Sequence, residues 1–171
     1  MRAPNYPRWN VPPGAPRARG PGRDALRSAA FEEGSHAVGY AAENYRVVRL
    51  SVDGRGGGRC RIDHTGRPES LVGIVAGQVG ARMFGEDGPQ FRLRHVSDNE
   101  EISAATGGRR DLRERAEREA RQILSLHKRT VRALAERLLE VGVVEGAELD
   151  RLLLPVRTEY VKQFASRGAA A

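Results

Sequence analysis

The segment EEGSH, residues 32–36, has a spacing that could hold a metal ion on one face of a helix. Residues four positions apart lie one above the other on a helix, so Glu32 and His36 would share a face. The spacing is that of the H-E-x-x-H motif, in which two histidines bind zinc and the glutamate between them activates water. Glu32 stands where the motif has its first histidine, and Glu33 where it has the glutamate. The segment predicts either a metal site with an unusual ligand or the remains of one.

A helix is predicted around this segment, from Asp24 to about Asn44. Asp24 can cap its start, and apolar residues recur at steps of three and four, namely Leu26, Ala30, Ala37, Val38 and Ala41. A strand follows in YRVVRLSVDG, and the glycine-rich GRGGGR would turn the chain into a second, antiparallel arm, CRID. GRGGGR lacks the following Lys and Ser/Thr of a phosphate-binding loop, so a turn is the better interpretation.

Helices are predicted for most of the remaining chain. Residues 69–85 carry small and apolar residues on several sides, which indicates a helix packed tightly behind the site. Helical periodicity resumes at Asp98 and is interrupted by two glycines, Gly107 and Gly108. Residues 109–144 then form one continuous apolar stripe, which predicts a long amphipathic helix.

The end of the chain is predicted to form a turn and a short helix. This helix would run from Glu145 or Gly146 to about Leu153, where Pro155 would stop it. Aromatic residues are only 5% of the sequence, so the core must be aliphatic, which suits helices packed on a small sheet. The predicted class is α+β and mostly helical.

One domain is predicted over residues 24–155, between an N-terminal tail, residues 1–23, and a C-terminal segment, residues 156–171, made of a helix end and a loose tail. The N-terminal tail holds six of the nine prolines and is predicted to be disordered. It also holds five arginines and no acidic residue, so most of the net charge of +7 belongs to it. Trp9 within it could dock a partner or RNA, but a solvated linker is the favoured interpretation.

Charge and hydropathy limit the classes of partner. In the predicted long helix, glutamates are interleaved with arginines, which favours a solvated, ion-paired face and disfavours nucleic acid as a partner. Binding of RNA or DNA through the tail and this helix stays an alternative. No run approaches the roughly 18 apolar residues of a membrane-spanning helix, and the N-terminus carries arginines and prolines where a signal peptide would be apolar. We therefore expect a cytoplasmic protein without a membrane segment.

The order of these features resembles the peptidase domain of FtsH-type ATP-dependent zinc metalloproteases. The resemblance covers residues 25–152, about three quarters of the chain. It is carried by five segments that correspond to the family's metal-binding helix, the next strand, a small-residue helix, a ligand helix and the long C-terminal helix. Here these segments read FEEGSHAVGYA, VVRLSVDG, VAGQVGARMFG, NEEISAAT and ILSLHKRTVRALAERLLEVGVVEGAEL. The resemblance implies a zincin-like fold with a small β-hairpin.

The resemblance also implies roles for individual residues. Glu33 would be the general base, and Glu32, His36 and Glu101 would be the metal ligands, with zinc as the expected metal. Glu32 replaces a histidine of the family, and Glu101 replaces an aspartate. Two carboxylates and one imidazole make a harder site, which suits zinc less and manganese or magnesium somewhat more. Asp98 could substitute for Glu101 as a ligand, but it breaks the register with ISAAT.

Other side chains with metal-binding or nucleophilic chemistry are isolated. Cys60 has no second cysteine and no suitably spaced histidine, so it is predicted to be a buried or idle thiol. His64 and His95 lie in predicted loops and are expected to face solvent, although either could replace the missing imidazole. The resemblance assigns His127 to a position that is not a ligand, and we expect it to serve packing or a hydrogen bond.

The implied activity is metal-dependent hydrolysis of peptide bonds in unfolded or flexible polypeptides. The sequence contains no G-x-x-x-x-G-K-[ST] nucleotide-binding loop, so an active protein would cut without its own motor or work beside a separate AAA+ ATPase. The alternative is a catalytically inactive pseudo-peptidase that binds peptides or a protease partner, because the first histidine ligand is missing. Family members form hexameric rings largely through the motor portion, so a homo-oligomer stays open.

Overall fold

The structure of the protein, a computed structural model, describes residues 23–54, 56–63, 66–84 and 96–168. The side chains of residues 23, 96–98 and 160–168 are not described. The predicted tail with Trp9, and the two loop histidines His64 and His95, therefore lie outside the described residues, as does the side chain of Asp98.

Within these ranges the chain forms helices and a small sheet, which confirms the mostly helical α+β class. In chain order the elements are α1 (Arg23–Ala42), β1 (Arg46–Val52), β2 (Gly58–Asp63), α2 (Leu71–Met83), α3 (Val96–Thr106), α4 (Arg110–Leu126), α5 (Lys128–Val141), β3 (Val143–Glu145) and α6 (Gly146–Gly168). Among the described helices, none combines the length and the apolar character that crossing a membrane requires.

The predicted hairpin is confirmed and forms most of an antiparallel sheet with the order β2-β1-β3. Its turn is closed from both sides, since the N–H of Asp53 donates to the carbonyl of Gly57 and the N–H of Gly57 donates to Oδ1 of Asp53, each at 2.8 Å. Gly56 has a φ of +83°, which favours glycine. The third strand, β3, was not predicted, because its residues were assigned to the end of the long helix and the turn after it, and three residues are too few to show alternation.

Helix α1 lies at the centre of the molecule, in contact with both α2 and α5 and with strands β1 and β2. Its residues 28–41 are all buried, so it has no solvent face along most of its length. Helix α2 begins at an N-cap in which Ser70 Oγ accepts from the N–H of Gly73 at 3.1 Å, and residues 72–81 are buried. The prediction of a tightly packed helix here is confirmed.

The predicted single helix over residues 109–144 is wrong, because it is broken at His127. This residue has φ −105° and ψ 26°, outside the helical region, and it separates α4 from α5. The break costs little hydrogen bonding, since the N–H of His127 still reaches the carbonyl of Ile123 at 3.0 Å and its own carbonyl accepts from Val131 at 3.1 Å. The apolar stripe continues on both sides, so the pattern alone does not show the break.

The prediction that Pro155 ends the last helix is also wrong, because α6 continues through it to Gly168. Proline removes one N–H from the helix and disturbs the carbonyl four residues earlier. Pro155 is exposed, so water can bond that carbonyl, while Leu149, Leu153 and Val156 are fully buried on the opposite side. Burial of this apolar stripe offsets the missing hydrogen bond.

Candidate functional site

Three ionisable side chains are buried side by side on α1. The exposed fractions of the three residues are only 8% for Glu32, 7% for Glu33 and 9% for His36. Carboxylates are rarely buried to this extent unless the surrounding structure engages them. The prediction that these residues lie on a helix is confirmed, and Glu32 and His36 share one face because they are four residues apart.

The position of the His36 proton follows from one hydrogen bond. Nδ1 of His36 lies 2.9 Å from the carbonyl oxygen of Gly73 in α2. A carbonyl can only accept, so Nδ1 carries the proton and donates it. In the neutral ring, Nε2 therefore keeps its lone pair, which is the form of histidine that binds a metal or accepts a proton.

A glycine of α2 covers the His36 ring without blocking that lone pair. An ideal Cβ on Gly77 would lie 2.1 Å from Nε2, 2.5 Å from Cε1 and 2.6 Å from Cδ2. If this Cβ lay in the ring plane, on the axis of the Nε2 lone pair, it would be much farther from Cε1 and Cδ2 than from Nε2. The three similar distances thus place Gly77 over the face of the ring, and the direction of the lone pair is free of this glycine.

The contact between His36 and Gly77 belongs to a row of similar contacts. Three glycines of α2, spaced by four and three residues, each receive a side chain from α1. An ideal Cβ on them would lie 2.2 Å from Cδ1 of Tyr40, 2.1 Å from Nε2 of His36 and 1.9 Å from Oγ of Ser35, for Gly73, Gly77 and Gly80 respectively. This row was not predicted, although the spacing G-x-x-x-G-x-x-G in the sequence was the available signal.

Glu33 packs against the hairpin instead of α2. An ideal Cβ on Gly58, the first residue of β2, would lie 2.5 Å from Cγ of Glu33. Two residues further along the same face of β2, burial raises the pKa of the Cys60 thiol, and the nearby charges of Glu33 and Glu69 raise it further. Cys60 therefore stays a protonated thiol at neutral pH, as expected for an idle cysteine.

A hydrogen-bonded tyrosine lies one turn beyond His36. Tyr40 donates its hydroxyl to a carboxylate oxygen of Glu69, and the two rings of His36 and Tyr40 stack with their centroids 6.4 Å apart. Burial is the main reason that the pKa of Tyr40 is raised, followed by the hydrogen bond and charge of Glu69, with further contributions from Cys60 and Glu101. The carboxylate of Glu101 is thus close enough to act on Tyr40.

The remaining predicted ligand, Glu101, lies on a different helix from Glu32 and His36. It is exposed on α3, and among the described elements α3 packs on α2 and α4 with no close backbone approach to α1. Within the described residues, no three His, Cys, Asp or Glu side chains form a group that could hold a metal ion. The ligand set of Glu32, His36 and Glu101 therefore stays a prediction.

Comparison with known proteins found neither a family model nor a curated protein that matches this sequence. The resemblance to FtsH-type peptidase domains therefore rests on the five segments of the sequence and stays a prediction.

Proposed function

We propose that this protein is metallopeptidase-like and hydrolyses peptide bonds in unfolded or flexible polypeptides, with Glu33 as the general base. The proposal rests on the joint burial of Glu32, Glu33 and His36 on α1, together with the tautomer that the Gly73 carbonyl imposes on His36. A buried carboxylate beside a neutral imidazole whose Nε2 carries a lone pair is a combination that proteins use for hydrolysis.

A divalent cation, zinc in the first instance, would be held by Glu32 and His36 on their shared helix face. Glu101 is the proposed third ligand, although the described residues do not complete this set. When bound, the cation would supply a polarised water molecule and Lewis-acid stabilisation of the developing oxyanion. The two carboxylates would reduce that polarisation relative to a site with two histidines, because they add negative charge.

Glu33 would move the protons of the reaction. Its carboxylate would take a proton from the attacking water and return it to the leaving amine, as a single general base and acid. The neighbouring thiol of Cys60 does not compete for this role, since its pKa is raised and it stays protonated. Burial around Glu33 would exclude bulk water from the reacting groups.

Strand β2 provides a place for an extended polypeptide next to Glu33. In the described part of the sheet, β2 is an edge strand, so the backbone groups along its outer side are not used by β1. An added strand would pair with them by main-chain hydrogen bonds, which suits unfolded substrates of varied sequence. The contact of Glu33 with Gly58 brings the carboxylate next to this strand.

A second candidate function is a pseudo-peptidase that binds polypeptide without cutting it. It is favoured by the exposed position of Glu101 and by the incomplete ligand set among the described residues. A peptide would use the same edge of β2 in this case, and a separate AAA+ ATPase or protease would be the partner that handles it.

Metal content and cleavage, measured on the same samples, test the two functions. We would determine bound metals by elemental analysis and follow cleavage of a fluorescently labelled unfolded polypeptide, for wild type, Glu33→Gln and Glu32→His. The hydrolase predicts about one metal per chain in wild type, and a Glu33→Gln variant that keeps the metal but loses activity by at least about 100-fold. Absence of metal in wild type, with uptake only by Glu32→His, would favour the pseudo-peptidase.

The third ligand has a matched control on its own helix. Glu100 and Glu101 are neighbouring, exposed carboxylates of α3. If Glu101 binds the metal, Glu101→Gln should weaken metal binding by about 10- to 100-fold, whereas Glu100→Gln should leave it unchanged. Equal metal affinities for the two variants would remove Glu101 from the ligand set.

A further inference from the structure

The outer face of the sheet carries arginines at regular spacing. Gly58 and Cys60 face α1, as their proximity to Glu33 shows, so the alternating residues Arg59 and Arg61 of β2 face the opposite side. Both arginines are exposed, and within the described part of the chain neither guanidinium makes a hydrogen bond or ion pair. Their α-carbons are about 6.7 Å apart, the repeat of alternate residues in a strand.

The neighbouring arginine on this face differs from these two because it is already paired. Arg49 of β1 lies opposite Arg61 in the register, and its guanidinium bonds to Glu145 of β3 at 3.0 Å. Like charges opposite each other on a sheet repel, so Arg61 gains from an added negative charge on its other side. In the sheet as the structure describes it, that side of β2 pairs with no other strand.

We propose that the edge of β2 selects extended polypeptides that carry acidic side chains at two alternate positions, which pair with Arg59 and Arg61. This rests on the proposed function, and it names the class of polypeptide that the site prefers. In a strand added to β2, residues i and i+2 point to the same face and lie about 5 Å from their cross-strand neighbours. Glutamate or aspartate at these positions would reach the two guanidinium groups, while residue i+1 would point toward α1 and Glu33.

The charge pattern favours a polypeptide over a nucleic acid as the occupant. Asp63 follows Arg59 and Arg61 on the same face of β2, so the strand presents two positive charges and then a negative one. A uniform run of phosphates would meet repulsion at Asp63, whereas a polypeptide can place acidic residues only where they are favourable. The backbone of β2 also offers pairing groups that match a second strand and not a sugar–phosphate chain.

Binding of short labelled peptides tests the proposal. Fluorescence anisotropy would compare a β-forming peptide with glutamate at alternate positions, its glutamine counterpart, and a peptide of the same composition with its glutamates adjacent. Hydrolysis is prevented by using the Glu33→Gln background. We expect the alternating acidic peptide to bind about tenfold more tightly than the glutamine peptide, the effect of two exposed ion pairs, and the adjacent arrangement to fall in between. High salt should reduce this preference.

Charge reversal assigns the preference to the two arginines. Arg59→Glu or Arg61→Glu should each lower the affinity for the alternating acidic peptide by about threefold to tenfold, and leave the glutamine peptide unchanged. Arg121→Glu is the matched control, because Arg121 is exposed on α4, which makes no contact with the sheet among the described elements. This variant should bind both peptides as the parent does.

The outcomes separate this proposal from the proposed function. Equal binding of acidic and neutral peptides would overturn the acidic preference, while peptide binding itself would still support the function. Selective binding of acidic peptides without any cleavage in the Glu33-containing protein would support the preference and overturn the hydrolase. The assignment of the site to β2 would be overturned if Arg121→Glu lowered the affinity for the acidic peptide as much as Arg59→Glu does. It would also be overturned if the protein bound single-stranded RNA and none of the peptides.

Discussion

The imidazole of His36 packs against Gly77, so that a methyl group on this glycine would be 2.1 Å from Nε2. The ring is fixed from two directions by α2, because its Nδ1 also donates to the carbonyl of Gly73 one turn earlier. The position of the imidazole on α1 thus depends on a residue of α2 that has no side chain. This dependence can be measured directly.

Gly77→Ala should displace His36 and destabilise the protein by about 1–3 kcal/mol, because the new methyl group overpacks a buried contact. The displacement should break the bond from Nδ1 to Gly73. Chemical denaturation measures the loss of stability, and the ring signals of His36 in an NMR spectrum report its new environment. In the proposed hydrolase, the same change should lower metal affinity.

The double variant with His36→Ala supplies the control for this clash. Removal of the ring takes away the three atoms nearest to a Cβ at position 77, and alanine is more favourable than glycine in a helix by up to about 1 kcal/mol. Gly77→Ala should therefore be destabilising with His36 present, and neutral or stabilising in its absence. The same loss of stability in both backgrounds would show that the ring of His36 does not lie over Gly77.

Gly142 ends α5 with a left-handed backbone, at φ +74°, and donates its N–H to the carbonyl of Leu138 at 2.8 Å. A Cβ on this residue would meet no atom closer than 3.9 Å, so any cost of a side chain comes from the backbone conformation alone. We expect Gly142→Ala to lower the free energy of unfolding by about 1 kcal/mol and Gly142→Asn by less, since asparagine tolerates this region. Urea denaturation of the two variants measures these losses. An equal loss of stability in both variants would indicate a steric origin instead.

The sequence was sufficient to predict the elements around the site. Periodicity defined α1 and α2, alternation and glycines defined the hairpin, and the spacing of Glu32, Glu33 and His36 indicated one helix. These features are local, because each depends on residues that are close to one another in the sequence. The interpretation of Cys60 as a buried or idle thiol came from its isolation in the sequence, and its low reactivity stays a prediction.

Features that depend on distant contacts could not be predicted in this way. The break at His127 leaves the apolar stripe intact, and the continuation of α6 through Pro155 depends on the burial of Leu153 and Val156 against other elements. The relation of Glu101 to α1 depends on how α3 packs on α2 and α4. Sequence register places Glu101 at a ligand position, but it contains no information on the distance between two helices.

Cys60 should react slowly with thiol reagents at neutral pH, because burial and the charges of Glu33 and Glu69 raise its pKa. The folded protein should be modified at least about tenfold more slowly than the denatured protein, since each unit of pKa changes the thiolate fraction tenfold. Glu33→Gln removes one of these charges and should accelerate the reaction of the folded protein. Glu100→Gln, on an exposed part of α3, should not. Fast modification of the native wild type, measured by absorbance, would contradict the raised pKa.

His127 should make the protein lose stability as the pH falls. Burial at the junction of α4 and α5 lowers the pKa of this imidazole, and the charge of Glu159 partly opposes the shift. The unfolded chain then binds a proton near pH 6.5, before the folded protein does, so stability is full above about pH 6.5 and declines as the pH falls toward the lowered pKa. Urea denaturation at pH 7 and pH 5 should show a smaller decline for His127→Gln than for wild type. Glu159→Gln should steepen the decline, because it removes the charge that supports the protonated ring, and parallel declines in wild type and His127→Gln would exclude this histidine as the origin.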